Sequence, residues 1–207
     1  MINETSLDAL REKISVILSE KRFAHTLGVE RAVRELGAHF LPDSVLELAA
    51  AALLHDVAKE LTKDEQVAIM RRGGMAFTDE DYASKPLYHA FAAPTVIRER
   101  FPEFATENVL SAVLFHTSAD ADMSLFDEII FIADFIEEGR KYDACREARK
   151  ELLSALEDEA NIEKKLRILH FAVLRVIDFT VKYLENEGKT VNSRMILARK
   201  SIASKLI

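Results

Sequence analysis

Little in this sequence turns the chain sharply. Six glycines and four prolines serve 207 residues, which excludes an all-β fold needing a turn signal about every 8–12 residues. One cysteine, Cys145, excludes an internal disulfide and fits a reducing compartment. Long apolar runs are missing as well. The stretch HFAVLRVIDFTVKYL is interrupted by Arg175, Asp178 and Lys182, so nothing reaches the length of a membrane span. Residues 1–20 carry charges throughout and lack the apolar core of a signal peptide. These absences predict a cytoplasmic protein with no membrane partner. There is no excess of positive charge either. A net charge of −7 excludes a broad nucleic-acid footprint, and leaves room for a small phosphorylated ligand met by locally gathered cations.

What is present is helical. Apolar residues make up 49% and charged residues 30%, an ordinary balance for a folded chain able to bury a core. From Arg22 to Gly37, the residues His25, Val29, Ala32, Val33 and Leu36 share one stripe at spacings of three and four. Ser44 and Glu47 have capping-box spacing before VLELAAAALLHDVAKE, which is apolar almost all round and predicts a buried central helix. Thr62 and Glu65 predict another capped start, and Gly73-Gly74 a stop. Residues 75–85 read as a loop or short helix. Pro86 can open the helix that carries His89, and Pro94 is expected to kink or break it. Thr106 to His116 is helical, TSADADM a loop, and Ser124 with Asp127 starts SLFDEIIFIADFIEE, which Gly139 should end. Two more helices follow, about 143–157 and 162–187, closed by Gly188. The expected architecture is all-α: a single helical domain over 1–190, with 191–207 as a basic C-terminal helix or tail. A solvated or frayed end is the expectation for that tail.

The chemistry lies in residues that sit awkwardly in this pattern. His55-Asp56 lies within an Ala/Leu-rich helix, where an unpartnered carboxylate is costly to bury. A bound metal would compensate; so would a hydrogen-bonded core histidine beside a helix-terminal Asp. If both reach one metal, it must lie at the helix flank, since neighbouring helical residues point about 100° apart. Asp134 falls four residues after Ile130 on an inward stripe, where a cation or a buried salt bridge would serve it. His25 occupies the apolar stripe of its own helix, as a ligand or a satisfied core residue. Together they form a mixed imidazole–carboxylate set suited to a transition metal. His89 and His116 could complete a second site or meet phosphate. Lys59 and Arg140 could clamp a polyphosphate, or be solvated charges. Cys145 has no partner and reads as inert; His39 reads as a loop residue and His170 as a helix-face residue.

The order His25, His55-Asp56, His89, His116, Asp134 resembles the HD-domain phosphohydrolases. The local words RFAHTLGVERA, LLHDVAKELT, YHA and LFHTSADADMSLFDEIIFIADFIEEGR resemble, more narrowly, the YqeK group of symmetrical bis(5′-nucleosyl)-tetraphosphatases, over roughly residues 10–190. That resemblance implies an all-α HD fold and a metal centre, usually iron, that cleaves diadenosine tetraphosphate into two ADP. It implies His25, His55, Asp56 and Asp134 as core metal ligands. His89 and His116 would complete a binuclear centre or face the phosphates. Arg22, Lys59, Thr117 and Arg140 match nucleotide-contacting positions, and His55, Asp56 and Lys59 would be the catalytic group. Three departures stand out: Ala119 and Asp120 where a Gly and a basic or polar residue are usual, Glu138 in place of a Pro, and no His-Pro near KTVNSRM. Manganese, cobalt and zinc suit the same ligands.

The nearest competing readings are an HD-type phosphatase of another nucleotide and a non-catalytic nucleotide sensor. A purely helical interaction module would leave His25, Asp56 and Asp134 unexplained. The apolar stripe of 162–187 reads as core, with a homodimer interface as the lesser alternative.

Overall fold

The computed structural model describes residues 2–207. Among these residues there are eleven α-helices and no strand. The first, α1 (Glu4–Ser15), starts at a reciprocal capping box between Asn3 and Ser6 and buries Leu7, Leu10 and Ile14. Helix α2 (Glu20–Phe40) turns Val29, Val33 and Leu36 to the core. It runs on to include His39, which was expected in a loop. Helix α3 (Val45–Leu54) has Leu48 to Leu54 wholly buried and lies at the centre, against α1 and α2.

Two expectations around α3 fail for instructive reasons. Ser44 makes no side-chain cap; residues Pro42–Ser44 form a 3-10 turn instead. Glu47 accepts hydrogen bonds from Thr106 Oγ1 at 2.5 Å and Asn108 Nδ2 at 3.1 Å. A tertiary partner has outcompeted the local cap. At its other end α3 stops at Leu54, ahead of His55-Asp56. Residues 55–60 tighten into turns, with Val57 N–H donating to Leu54 O and Lys59 N–H to Asp56 O.

Helix α4 (Lys63–Arg72) begins at the Thr62–Glu65 capping box and ends at Gly73, followed by Gly74 at φ +72°. A short α5 (Asp79–Ala83) occupies the weakly periodic stretch. Pro86 lies in a 3-10 turn that leads into α6 (Tyr88–Arg100), and α6 continues through Pro94 without ending there. Ten consecutive residues of α6, Tyr88 to Ile97, are buried, and this packing outweighs the roughly 3 kcal/mol an interior proline costs.

Helix α7 (Glu107–Phe115) is capped by Thr106 and stops one residue before His116. Helix α8 (Leu125–Ile136) starts at the Ser124–Asp127 capping box and ends at Glu137, before Gly139 is reached. Then come α9 (Asp143–Glu157) and the long α10 (Ile162–Asn186), with Gly188 at φ +64° after it. The last helix, α11 (Ser193–Ser204), is not a solvated tail. It buries Met195, Ala198 and Ile202 and packs against α10. No helix among the described residues is long and apolar enough to cross a membrane. In this arrangement α2, α3, α6, α7 and α8 surround one point, and each delivers a histidine or an aspartate to it, from within the helix or just past its end.

Candidate metal centre

Each of the four central histidines is held by its Nδ1. His55 Nδ1 lies 2.6 Å from Ala52 O, His89 Nδ1 2.9 Å from Pro86 O, and His116 Nδ1 2.7 Å from Val113 O. A carbonyl oxygen only accepts, so Nδ1 carries the proton in all three rings and Nε2 presents a lone pair. In each case the acceptor is three residues upstream. That pattern follows from placing the histidine at the end or start of a helix, where the ring folds back on the adjacent turn. His25, within α2, is held by a side chain instead: its Nδ1 donates to Glu137 at 3.1 Å.

The free nitrogens then converge. His89 Nε2 and His116 Nε2 are 3.2 Å apart, two lone pairs facing each other. Asp56 Oδ1 lies 3.4 Å from His89 Nε2 and 3.7 Å from His116 Nε2. His25 Nε2 is 3.0 Å from Asp134 Oδ1. Two groups could each hold an ion, His25–His55–Asp134 and His55–Asp56–His116, with the ligand atoms of each within 4.8 Å of one another. His55 belongs to both. Its Nε2 and Asp56 Oδ1 are buried without a hydrogen-bond partner among the described residues. Buried orphans of this kind are uncommon and call for a partner. Converging acceptors around a carboxylate fit a divalent cation, and the donor set of imidazole and carboxylate suits a transition metal.

The protonation states of His55 and His89 agree with that. Burial pushes His55 down to about 4, and burial with the Lys59 ammonium beside it holds His89 well below the usual histidine value. Both are therefore neutral at pH 7, as ligands must be. Burial alone would raise the Asp56 carboxyl. The surrounding imidazoles and the Lys59 ammonium outweigh it and hold Asp56 well below the carboxylate range. Asp134 is likewise held low, burial being outweighed by His25 and Arg140. His25 differs: burial is outweighed by the bonds to Asp134 and Glu137, so its pKa is raised, and its Nε2 would have to give up a proton to a bound metal.

The expected nucleotide-contacting residues form the rim. Arg22 Nη1 donates to Asp56 Oδ2 at 2.5 Å, and Lys59 Nζ reaches His89 Nε2 at 2.9 Å and Asp56 Oδ1 at 3.5 Å. Thr117 Oγ1 is 3.2 Å from His89 Nε2, and Arg140 Nη2 is 2.5 Å from Asp134 Oδ1. Thus Arg22, His25, His55, Asp56, Lys59, His89, His116, Thr117, Asp134 and Arg140 all come to one site. His39 and His170 lie elsewhere, facing Lys165 and Glu128.

One functional residue escaped the sequence reading. Glu137 is buried, bonds His25, and accepts from Gly139 N–H at 2.5 Å. Gly28 makes room for it: a Cβ there would lie 2.3 Å from Glu137 Oε2. No spacing along the chain marks it, because its place depends on the end of α8 lying against Gly28 of α2.

Known proteins resemble this chain in sequence and fold. The HD domain family model matches residues 22–139. The chain is 34% identical over 133 residues to the symmetrical bis(5′-nucleosyl)-tetraphosphatase of Bacillus subtilis, covering 64% of this chain and 70% of that one. It is 33% identical over 132 residues to the protein of the same name from Halalkalibacterium halodurans, covering 64% and 69%. A crystal structure of a predicted HD superfamily hydrolase involved in NAD metabolism, from Clostridium acetobutylicum, superposes with a TM-score of 0.81 at 30% identity. It covers 96% of this chain and 97% of that one. The matched stretch takes in more than half of the sequence and carries all six converging His and Asp residues, so the protein belongs to the HD domain family.

Proposed function

We propose that this HD hydrolase acts on dinucleoside polyphosphates and cuts diadenosine tetraphosphate symmetrically into two ADP, at a binuclear centre that takes iron. The observation that carries this reading is the pair of adjoining ligand sets sharing His55, bordered by Arg22, Lys59 and Arg140. The relatives named as symmetrical tetraphosphatases support the substrate. His25, His55 and Asp134 would hold one metal; Asp56 and His116, with His89 beside them, would hold the other.

When bound, two metals supply a water nucleophile at neutral pH and draw charge from the phosphoryl oxygens. The chain's own residues do the rest. The Nδ1 hydrogen bonds to Ala52, Pro86, Val113 and Glu137 lock the four rings with Nε2 turned inward, so no reorganisation is needed when charge develops. Lys59 and Arg22 place two cations over Asp56, where an anionic polyphosphate would otherwise meet a carboxylate. A nucleoside diphosphate is a weakly basic leaving group, so fixed cations suffice for it and no proton donor is required. Thr117 adds a hydroxyl at the same edge. No side chain is placed as a nucleophile, and no phospho-enzyme is expected.

Anaerobic purification with metal analysis, followed by incubation with diadenosine tetraphosphate and chromatography, tests this. About two metals per chain and ADP as the sole product are expected. AMP plus ATP would overturn the symmetrical cut, and a chain that binds no metal would favour a nucleotide sensor.

A further inference from the structure

Two lysine ammoniums rest on consecutive residues at the start of α6. Lys59 Nζ is 2.9 Å from His89 Nε2, and Lys63 Nζ lies over the buried ring of Tyr88, 5.7 Å from its centroid. Tyr88 is held in turn by its hydroxyl, which donates to the Tyr82 carbonyl. Lys63 also donates to Gln66 Oε1 at 3.0 Å. Gln66 is wholly buried, and its Nε2 donates to Ala58 O at 2.8 Å, which turns Oε1 toward Lys63. A ring face and a fixed amide oxygen thus hold an ammonium that sits at the surface.

Neither of these supports carries a charge. Among the described residues no carboxylate forms an ion pair with Lys63, and Glu65, two residues on, is spent on the Thr62 cap. Lys59 has Asp56 Oδ1 at 3.5 Å, but Arg22 draws on the same carboxylate. Burial, and then the Lys59 ammonium, push the Lys63 pKa below the usual lysine value. Two like charges held near each other repel, and an anion meeting both relieves that repulsion. The arrangement also has a direction. Asp56 is buried, Lys59 half-buried and Lys63 exposed, so the line through them leads from the centre to solvent.

We propose that Lys63 is a specificity-determining residue that, with Lys59, forms a two-ammonium track for the polyphosphate chain as it leaves the metal centre. This rests on the reading of the centre as one that handles polyphosphates. A phosphate at the centre meets Lys59 and Arg22; one further along the chain meets Lys63 through a charge-assisted hydrogen bond. The track therefore measures chain length. A short chain reaches Lys59 alone, a longer one reaches both, and the base plays no part in the distinction.

Calorimetry of the metal-loaded protein with inorganic pyrophosphate and with inorganic tripolyphosphate reads this directly. Wild type should bind tripolyphosphate more tightly than pyrophosphate. Lys63→Gln should weaken tripolyphosphate about tenfold, the loss of one charged hydrogen bond, with pyrophosphate and metal content unchanged. Lys63→Arg keeps the cation and should keep the preference. Lys150→Gln removes an exposed cation of α9 and controls for net charge. Wild type without a preference for the longer chain, or Lys63→Gln with the preference intact, would overturn the track. So would an equal loss in Lys150→Gln or Lys63→Arg, or a loss of metal from Lys63→Gln. Product analysis on diadenosine tetraphosphate is scored separately. A Lys63-dependent preference without symmetrical cleavage would keep the track and reject the substrate; two ADP with the preference intact in Lys63→Gln would do the reverse.

Discussion

At the scale of single residues, the central cluster is held by a side chain outside the expected ligand set. Glu137 holds the Nδ1 of His25 and thereby presents Nε2 toward Asp134. Glu137→Gln removes the negative charge from that bond, and partners of this kind are worth about 10–100-fold in metal affinity or activity. We expect a loss of that size in a chelator-competition titration. Gly28→Ala should act in the same direction without altering any ligand, because its methyl would overlap the Glu137 carboxylate. An unchanged titration in Gly28→Ala would remove Glu137 from the account. His55 and Asp56 stand differently. Each is buried with an orphaned atom, and Asp56→Ala is expected to abolish metal binding in the second ligand set. Metal analysis of that variant should show a loss of at least one ion per chain. That His25, His55, His89 and His116 sit where helices pack inward or meet loops was legible in the sequence. Glu137 was not, because its role comes from a packing gap at Gly28 that exists only once α2 and the end of α8 are adjacent.

At the scale of elements, the last helix acts as a clamp on the loop that follows His116. Arg194 bonds Asp81 through Nε and Nη2, both at 3.0 Å, and Asp120 through Nη1 at 2.8 Å. Ser201 Oγ donates to Ala121 O at 2.7 Å, and Lys205 Nζ reaches the buried Glu128 at 2.6 Å. The clamped loop contains Ala119 at φ +53°, a left-handed conformation that costs an L-residue about 1–2 kcal/mol. Its N–H still closes onto Phe115 O at 2.8 Å, so the bend directly after His116 and Thr117 is kept by the surrounding contacts. Asp120, a departure from the group pattern in sequence, is thus a structural partner of Arg194. For Asp81, burial is outweighed by Arg194 and Thr78, and the carboxyl is held at about 2. Its folded pKa is depressed, so it stabilises the native state above the unfolded value near 4. That contribution, about 2 kcal/mol, is lost as pH falls through about 2. Arg194→Ala should therefore lower stability at neutral pH by about 2 kcal/mol or more. It should also flatten the acid limb of the stability profile between about pH 4 and 2. Denaturant melts across that range check both, and a parallel acid limb in the variant would refute the assignment.

At the scale of the whole molecule, the centre joins α2, α3, α6, α7 and α8, so a bound metal staples helices that are distant in the chain. Metal at about 100 times its dissociation constant should add roughly 2.7 kcal/mol, which for a chain of this size raises Tm by roughly 5–10 °C. Thermal melts before and after chelation measure it, and an unchanged Tm would show that the ligands are preformed without being bridged. The all-α class, most helix starts and the six His and Asp residues that converge could be read from the sequence, because capping boxes, apolar stripes and misplaced polar residues are local signals. Thr62, Ser124 and the 143–157 and 162–187 helices illustrate that reading. Other features were decided only in three dimensions. Glu47 left its local cap for Thr106, α6 ran through Pro94, and α3 ended before His55-Asp56 so that both could face one point. The α11 clamp was hidden for the same reason. In each case a contact between residues far apart in the chain was worth more than the local preference, and such contacts have no period or spacing along the sequence.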